Sequence, residues 1–223
     1  MEKITLYYFD NGNSGKVHVL AMLKSFLILF ISSPRSRQKF KLMLEDAGLD
    51  HGYVRLAKGE AWGIKKAQLL KDGYISPTLP YIEINGSRFG KTAPIMRYIS
   101  AKLDNKYNGS NAEENHFLEY ATEITESWFD CVKHSFFGDD GKKAEHRVTS
   151  TLKYIDLFKK LYTTYTGPYL IGEKITYVDF LVYHLLDDDF ALNRLSGSPN
   201  LAKFVQSFER RPNMKKYLAS LTV

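Results

Sequence analysis

The chain has 223 residues, 44% hydrophobic and 25% charged, with a formal net charge of +6; that balance builds a real core and excludes a disordered or fibrous chain. Its Lys and Arg residues are scattered rather than clustered, so the charge reads as solvated surface and no nucleic-acid partner is expected. The single cysteine, Cys131, excludes an internal disulfide, a Cys-x-x-Cys redox pair and any zinc site built on several cysteines, which points to a reducing, cytoplasmic setting.

Met1-Glu2-Lys3 leads straight into Ile4 to Phe9 (ITLYYF), a β-branched and aromatic run that predicts a strand. Val17 to Ile31 is strongly apolar, but it is short for a membrane span and carries Lys24 in its middle, so no membrane partner is expected. Arg37 to Ala47 predicts a short helix stopped at Gly48. Tyr53 to Leu56 reads as a second strand. Thr78 to Ile84 alternates apolar and polar residues, and Asn85-Gly86 then joins it to Ser87-Arg88-Phe89. Asn-Gly between two strand-like runs is a strong hairpin signal, because both central residues of the favoured turn need positive φ. Thr92 to Leu103 is helical, with Thr92 suited to the N-cap and Pro94 to the first turn.

After Asp104 the pattern changes. Asp104 to Ala112 is polar and reads as a linker. Glu113 to Phe136, Ala144 to Thr164, Tyr177 to Asp188, Leu201 to Arg210 and Met214 to Leu221 all carry helical apolar spacing. The chain is therefore expected to be a β/α domain followed by an all-helical one. The six His residues show no metal-binding spacing, so no metal is expected.

Three residues or pairs invite a chemical reading. Leu79-Pro80 opens a strand, where proline marks either a plain edge or a cis bond that would aim the Leu79 amide and carbonyl at an extended ligand. Thr92 at a helix start is either a structural cap or a seat for a carboxylate. Tyr8 ends the first strand, where its hydroxyl either packs or donates to a thiolate.

Together, LYYFDN at Leu6 to Asn11, LPYIEINGSRFGKTAPIMRYIS at Leu79 to Ser100 and YLIGEKITYVDFLVYHLLD at Tyr169 to Asp187 resemble the glutathione S-transferase family. Thr176-x-x-Asp179 looks like that family's structural capping box in the C-terminal domain. PNLAKFVQSFERRPNMKKYLAS at the C-terminus resembles the mu class more than the sigma class, without the long mu tail.

The resemblance implies a thioredoxin-like, glutathione-binding domain over residues 1–103 and a helical domain over 112–223. It implies glutathione as co-substrate, a small hydrophobic electrophile as partner substrate, a detoxifying conjugation and a homodimer. Tyr8 would hold the glutathione sulfur as thiolate. Trp62 and Lys66 would bind the glycyl carboxylate, and Leu79, before Pro80, would pair with the cysteinyl backbone. Thr92, beside Lys91, would hold the γ-glutamyl carboxylate. Phe136 or Phe137 falls near the wall of the electrophile site, and Tyr74 is a candidate for the aromatic that docks into a second subunit. Glu126, Ser127 and Asp130 lie near the acid lent across such a dimer.

Two departures stand out. By the resemblance, Lys91 stands where the family usually has glutamine, and there it would attract the γ-glutamyl carboxylate and repel the neighbouring α-ammonium. Residues 16–36 are an apolar insertion beside Tyr8, which fits either translated intron or a gene-model error, or a genuine segment that covers the site or binds a membrane or partner. The alternatives to conjugation are a non-catalytic carrier of glutathione or apolar ligands, and an isomerase or peroxidase use of the same site.

Overall fold

The computed structural model describes residues 3–9, 39–57 and 59–221. The expected insertion at 16–36 lies outside them.

Strand β1 (Ile4–Phe9) is the sheet's organiser. It pairs in parallel with β2 (His51–Leu56) and antiparallel with β3 (Tyr81–Ile84), which pairs in turn with β4 (Ser87–Gly90), giving the order β2-β1-β3-β4. The hairpin turns at Asn85 and Gly86, both at positive φ (50° and 80°), as the Asn-Gly pair predicts. Strand residues alternate between faces, and Ile4 and Leu6 are buried. Helices α1 (Lys39–Ala47) and α3 (Thr92–Lys102) bury Phe40, Leu42, Met43, Ile95, Met96 and Ile99 in the same core. Tyr7 points to the opposite face, stacks on Tyr81 with centroids 4.4 Å apart, and donates from its hydroxyl to Glu83 Oε2 at 2.9 Å.

Helix α2 (Glu60–Lys71) was not expected. Leu69 is its one buried residue, so its sequence carries no apolar stripe from which a helix can be read.

The helices that follow are α4 (Ala112–Phe136), α5 (Asp140–Val148), α6 (Ser150–Leu161), α7 (Tyr177–Asp188), α8 (Pro199–Arg210) and α9 (Pro212–Ser220). Asn111 and Asp139 cap α4 and α5 by accepting the Glu114 and Lys142 amides, each at 2.8 Å. The single helix expected over 144–164 breaks at Thr149, whose hydroxyl turns back onto the Glu145 carbonyl at 2.7 Å. Helix α7 is buried on all sides from Tyr177 to Leu186; α1, α3 and α4 pack against it, and Phe208 of α8 stacks on its Tyr183.

The expected linker at 104–112 is anchored rather than loose. Tyr107 is fully buried within it. Its amide donates to Ser100 Oγ at 2.9 Å and its hydroxyl to Asp46 Oδ2 at 2.8 Å. Among the described residues no helix is long and apolar enough to cross a membrane.

Candidate functional site

The strand directions gather the site residues on one edge of the sheet. Strands β1, β2 and β4 all end there, and β3 begins there. The register pairs Tyr7 with Tyr81 and Tyr81 with Gly90. One step further along that edge stand Tyr8, Pro80 and Lys91, followed by Thr92. Three stretches of the chain thus deliver Tyr8, Leu79-Pro80 and Lys91-Thr92 to one place because of topology alone.

The Leu79-Pro80 bond is cis. Thr92 is the first helical residue of α3 rather than its cap. The cap position belongs to Lys91, which sits at φ 67°, ψ 132° and makes no side-chain cap bond. A non-glycine residue in that region is strained, and such strain concentrates at sites where the chain is held for a ligand. The arrangement presents the Thr92 hydroxyl and the first-turn amides of α3, which have no acceptor within the helix, at the positive end of its dipole. An anionic group suits that position.

Helix α2 follows β2 from the same edge. Its Trp62 is half-buried and meets Phe9 edge-on at 6.2 Å. Lys66 lies one turn further on and is exposed. Trp62 is thus tied to the end of β1, and its helix carries Lys66 alongside.

Tyr8 shares the inward face of β1 with Ile4 and Leu6 and is half-buried. Burial first, and then the Asp188, Tyr53 and Glu126 groups, raise its hydroxyl well above the usual phenol range. It therefore stays protonated at neutral pH and is a hydrogen-bond donor.

Sequence reasoning missed the charged wall beside it. Lys39, in the first turn of α1, is buried; its ammonium stands 3.4 Å from Glu126 Oε1 and 4.2 Å from the centre of the Phe129 ring. Burial lowers its pKa, and the Glu126 and Asp188 carboxylates oppose that shift. Lys133 stands over the same ring at 5.1 Å and pairs with Asp130 at 2.6 Å. His184 is buried, with Nδ1 3.4 Å from Asp188 Oδ2 but not aligned to bond it. Desolvation outweighs that attraction, and the nearby Lys39 ammonium adds to it, so the imidazole is pushed down to about 3 and is neutral. The signal was present in the spacing: Glu126, Phe129, Asp130 and Lys133 fall at i, i+3, i+4 and i+7 and share one face of α4. Glu126 and Asp130, considered above as acids lent across a dimer, pair with lysines of their own chain.

Phe137 is the C-cap residue of α4 and is 72% exposed; the side chain of Phe136 lies outside the described residues. Thr176 and Asp179 form a capping box at the start of α7. Asp179 is fully buried. Oδ2 accepts the Thr176 amide at 2.7 Å and its hydroxyl at 2.8 Å, and Oδ1 accepts the Tyr162 hydroxyl at 2.8 Å and the Leu170 amide at 3.0 Å. The box therefore pins the loop before α7 as well as capping the helix. Tyr74 is half-buried with its ring edge on Tyr81, and the neighbouring Ile75 is 92% exposed. Among the described residues, no group of three or more His, Cys, Asp and Glu is placed to hold a metal ion.

Comparison with known proteins adds sequence and fold likeness to this geometry. Residues 126–221 match the family model described as glutathione S-transferase, C-terminal domain. The chain is 30% identical over 190 residues to glutathione S-transferase Mu 1 of Rattus norvegicus, spanning 81% of this chain and 84% of that one. It is 28% identical over 187 residues to glutathione S-transferase P 10 of Caenorhabditis elegans, spanning 80% and 83%. In fold it is similar to the Pi-class glutathione S-transferase of Onchocerca volvulus, with a TM-score of 0.74 and 19% identity over 97% of this chain and 92% of that one. The mu-named and P-named relatives stand at nearly equal identity, so these likenesses do not single out the mu class.

Proposed function

We propose that this chain, which belongs to the glutathione S-transferase family, joins the glutathione thiolate to small hydrophobic electrophiles. The observation that carries the reading is the convergence of Tyr8, the cis Leu79-Pro80 pair and the Thr92 start of α3 on one sheet edge. Tyr8, kept protonated, donates to the thiolate and lowers the thiol pKa below its free value of about 8.5. The Leu79 backbone pairs with the cysteinyl portion. Thr92 and the α3 amides hold the γ-glutamyl carboxylate, with Lys91 beside them, and Trp62 and Lys66 hold the glycyl carboxylate. The sulfur then attacks an electrophile held against the helical domain, near Phe136 and Phe137. Positioning and thiolate fraction supply most of the rate. The division at 1–103 and 112–223, a cytoplasmic location, a role in detoxification and a mu-like class belong to this reading.

A second reading is favoured by the Asp188 and Glu126 carboxylates close to Tyr8. Negative charge there opposes a thiolate, which suits a relative that carries glutathione without ionising it. Near-ultraviolet thiolate absorbance on adding glutathione at neutral pH separates the two. The transferase reading expects a signal in the wild type that Tyr8→Phe abolishes; absence of signal in the wild type leaves the carrier.

The homodimer is also part of the proposal. The loop that carries Tyr74 also presents Ile75, which is 92% exposed, and both would meet a second copy docked on this loop. Light scattering at micromolar concentration should give a dimer, weakened by Ile75→Asp. A monomeric wild type would rule the dimer out.

A further inference from the structure

We propose that Lys39, Lys133 and the Phe129 ring between them on the α1–α4 wall form a subsite for the carboxylate of an aromatic acid, so that this chain prefers electrophiles bearing a negative group. The proposal rests on the transfer reading above and names its substrate class.

Two ammonium groups stand over one half-buried ring, at 4.2 and 5.1 Å from its centre. A ring held by two cations is a ready platform for an aromatic ligand that also carries a negative charge. The internal counter-ions are the weaker-held partners. The Lys39 side chain is 11% exposed but its Glu126 is 46% exposed; Lys133 is 42% exposed and its Asp130 is 60% exposed. Half-exposed ion pairs are worth little, so either carboxylate can turn to solvent and yield to a ligand carboxylate. Lys39 cannot leave; the buried Asp188 carboxylate also acts on it, and a buried ammonium takes an anion at contact distance, the place that Glu126 holds.

The wall also lies beside the reacting group, because the Glu126 carboxylate that pairs with Lys39 is close enough to act on Tyr8. An acid seated on Lys39 and Phe129 therefore presents its ring to sulfur held by Tyr8. For a chloronitroarene the sulfur–carbon bond forms as the carbon–chlorine bond breaks, and chloride leaves with the bonding pair.

The test compares 4-chloro-3,5-dinitrobenzoate with its methyl ester, as the ratio of kcat/KM with glutathione. Equilibrium binding of unreactive 3,5-dinitrobenzoate and its methyl ester runs alongside. Wild type should favour the acid in both. Lys39→Met and Lys133→Met should each lower the acid-to-ester ratio by about tenfold. Glu126→Gln removes the competing anion and should raise it, a gain that no purely structural role for the pair produces. If Lys39→Met does not fold, the two α4 variants decide. Turnover of both electrophiles without acid preference keeps the transfer reading and overturns this one. No turnover, but lysine-dependent binding of 3,5-dinitrobenzoate, removes the transfer reading and leaves the anion subsite standing. No lysine dependence in either measurement overturns the subsite.

Discussion

Arg211 grips both oxygens of Asp46 across 165 residues of sequence: Nε donates to Oδ1 at 2.5 Å and Nη2 to Oδ2 at 2.8 Å. Asp46 lies near the end of α1, and Arg211 lies between α8 and α9. The Tyr107 hydroxyl completes the carboxylate shell from the segment that joins the two halves of the chain. This is the bidentate geometry in which arginine is strongest. The Asp46 side chain is 2% exposed, so removing its cation leaves a buried, half-satisfied charge. Arg211→Met should lower the unfolding free energy by about 3 kcal/mol. Asp46→Asn should lose less, and the double variant should lose less than the sum. Denaturant titrations of the four proteins in this cycle measure the coupling; strict additivity would show that the two residues do not act together.

Asp179 makes the same point inside the helical half. All four groups around its carboxylate donate, so Asp179→Asn turns an amide NH2 toward donors and should cost about 2–4 kcal/mol. Burial, opposed by those four bonds, pushes its pKa up to about 6. The native state thus holds a proton between roughly pH 4 and 6 that the unfolded chain has released. Its contribution to stability is full below that window and falls as pH rises through it. The wild type minus Asp179→Asn difference should therefore shrink from pH 4 to pH 6 in denaturant titrations. A flat difference would place the carboxyl at its ordinary pKa.

How much of this was legible in the sequence depends on what each residue's neighbours are. β1, α3 and α7 were readable because their apolar runs, the Asn85-Gly86 turn and the Thr176-x-x-Asp179 spacing are local signals. Thr92 and Lys91 were found but offset by one, since a cap is set by backbone angles that Lys91 takes at φ 67°. Helix α2 escaped because an exposed helix with one buried residue has no period to detect. The Lys39 wall escaped because half of it lies on α1 and half on α4, and only packing reveals that a lysine in KFKLML faces inward. Tyr107 read as linker for the same reason, since its partners Asp46 and Ser100 come from other elements.

His184 should govern part of the acid limb of stability. It is buried and neutral, with its pKa pushed down to about 3 chiefly by desolvation. The unfolded chain takes up a proton near the ordinary value of about 6.5, which the native state refuses. Its contribution is therefore full above pH 6.5 and is lost as pH falls toward 3, by at most about 5 kcal/mol. This slope runs opposite to that of Asp179. His184→Gln should flatten the loss between pH 6.5 and 4, and parallel wild-type and variant curves would show a histidine charged in the native state.

Tyr8 makes a prediction about rate against pH rather than stability. Its hydroxyl is held protonated by burial and by the Asp188 and Glu126 charges, so it donates throughout the accessible range. The thiol it serves is the group that titrates. The plot of kcat/KM against pH should rise once, with a midpoint below the free-thiol value of about 8.5, and should not fall again before about pH 10, the ordinary phenol value. Tyr8→Phe removes the donor. The midpoint should move up toward the free-thiol value, with a loss at neutral pH of about 100- to 1000-fold, the range for removing one hydrogen bond to a reacting anion. Measurements at saturating glutathione separate this from weakened binding, which would raise KM and leave the midpoint in place. A falling limb near pH 8 in the wild type, absent from Tyr8→Phe, would mean that Tyr8 loses its proton there, and would overturn the claim that burial and the nearby carboxylates hold the hydroxyl protonated.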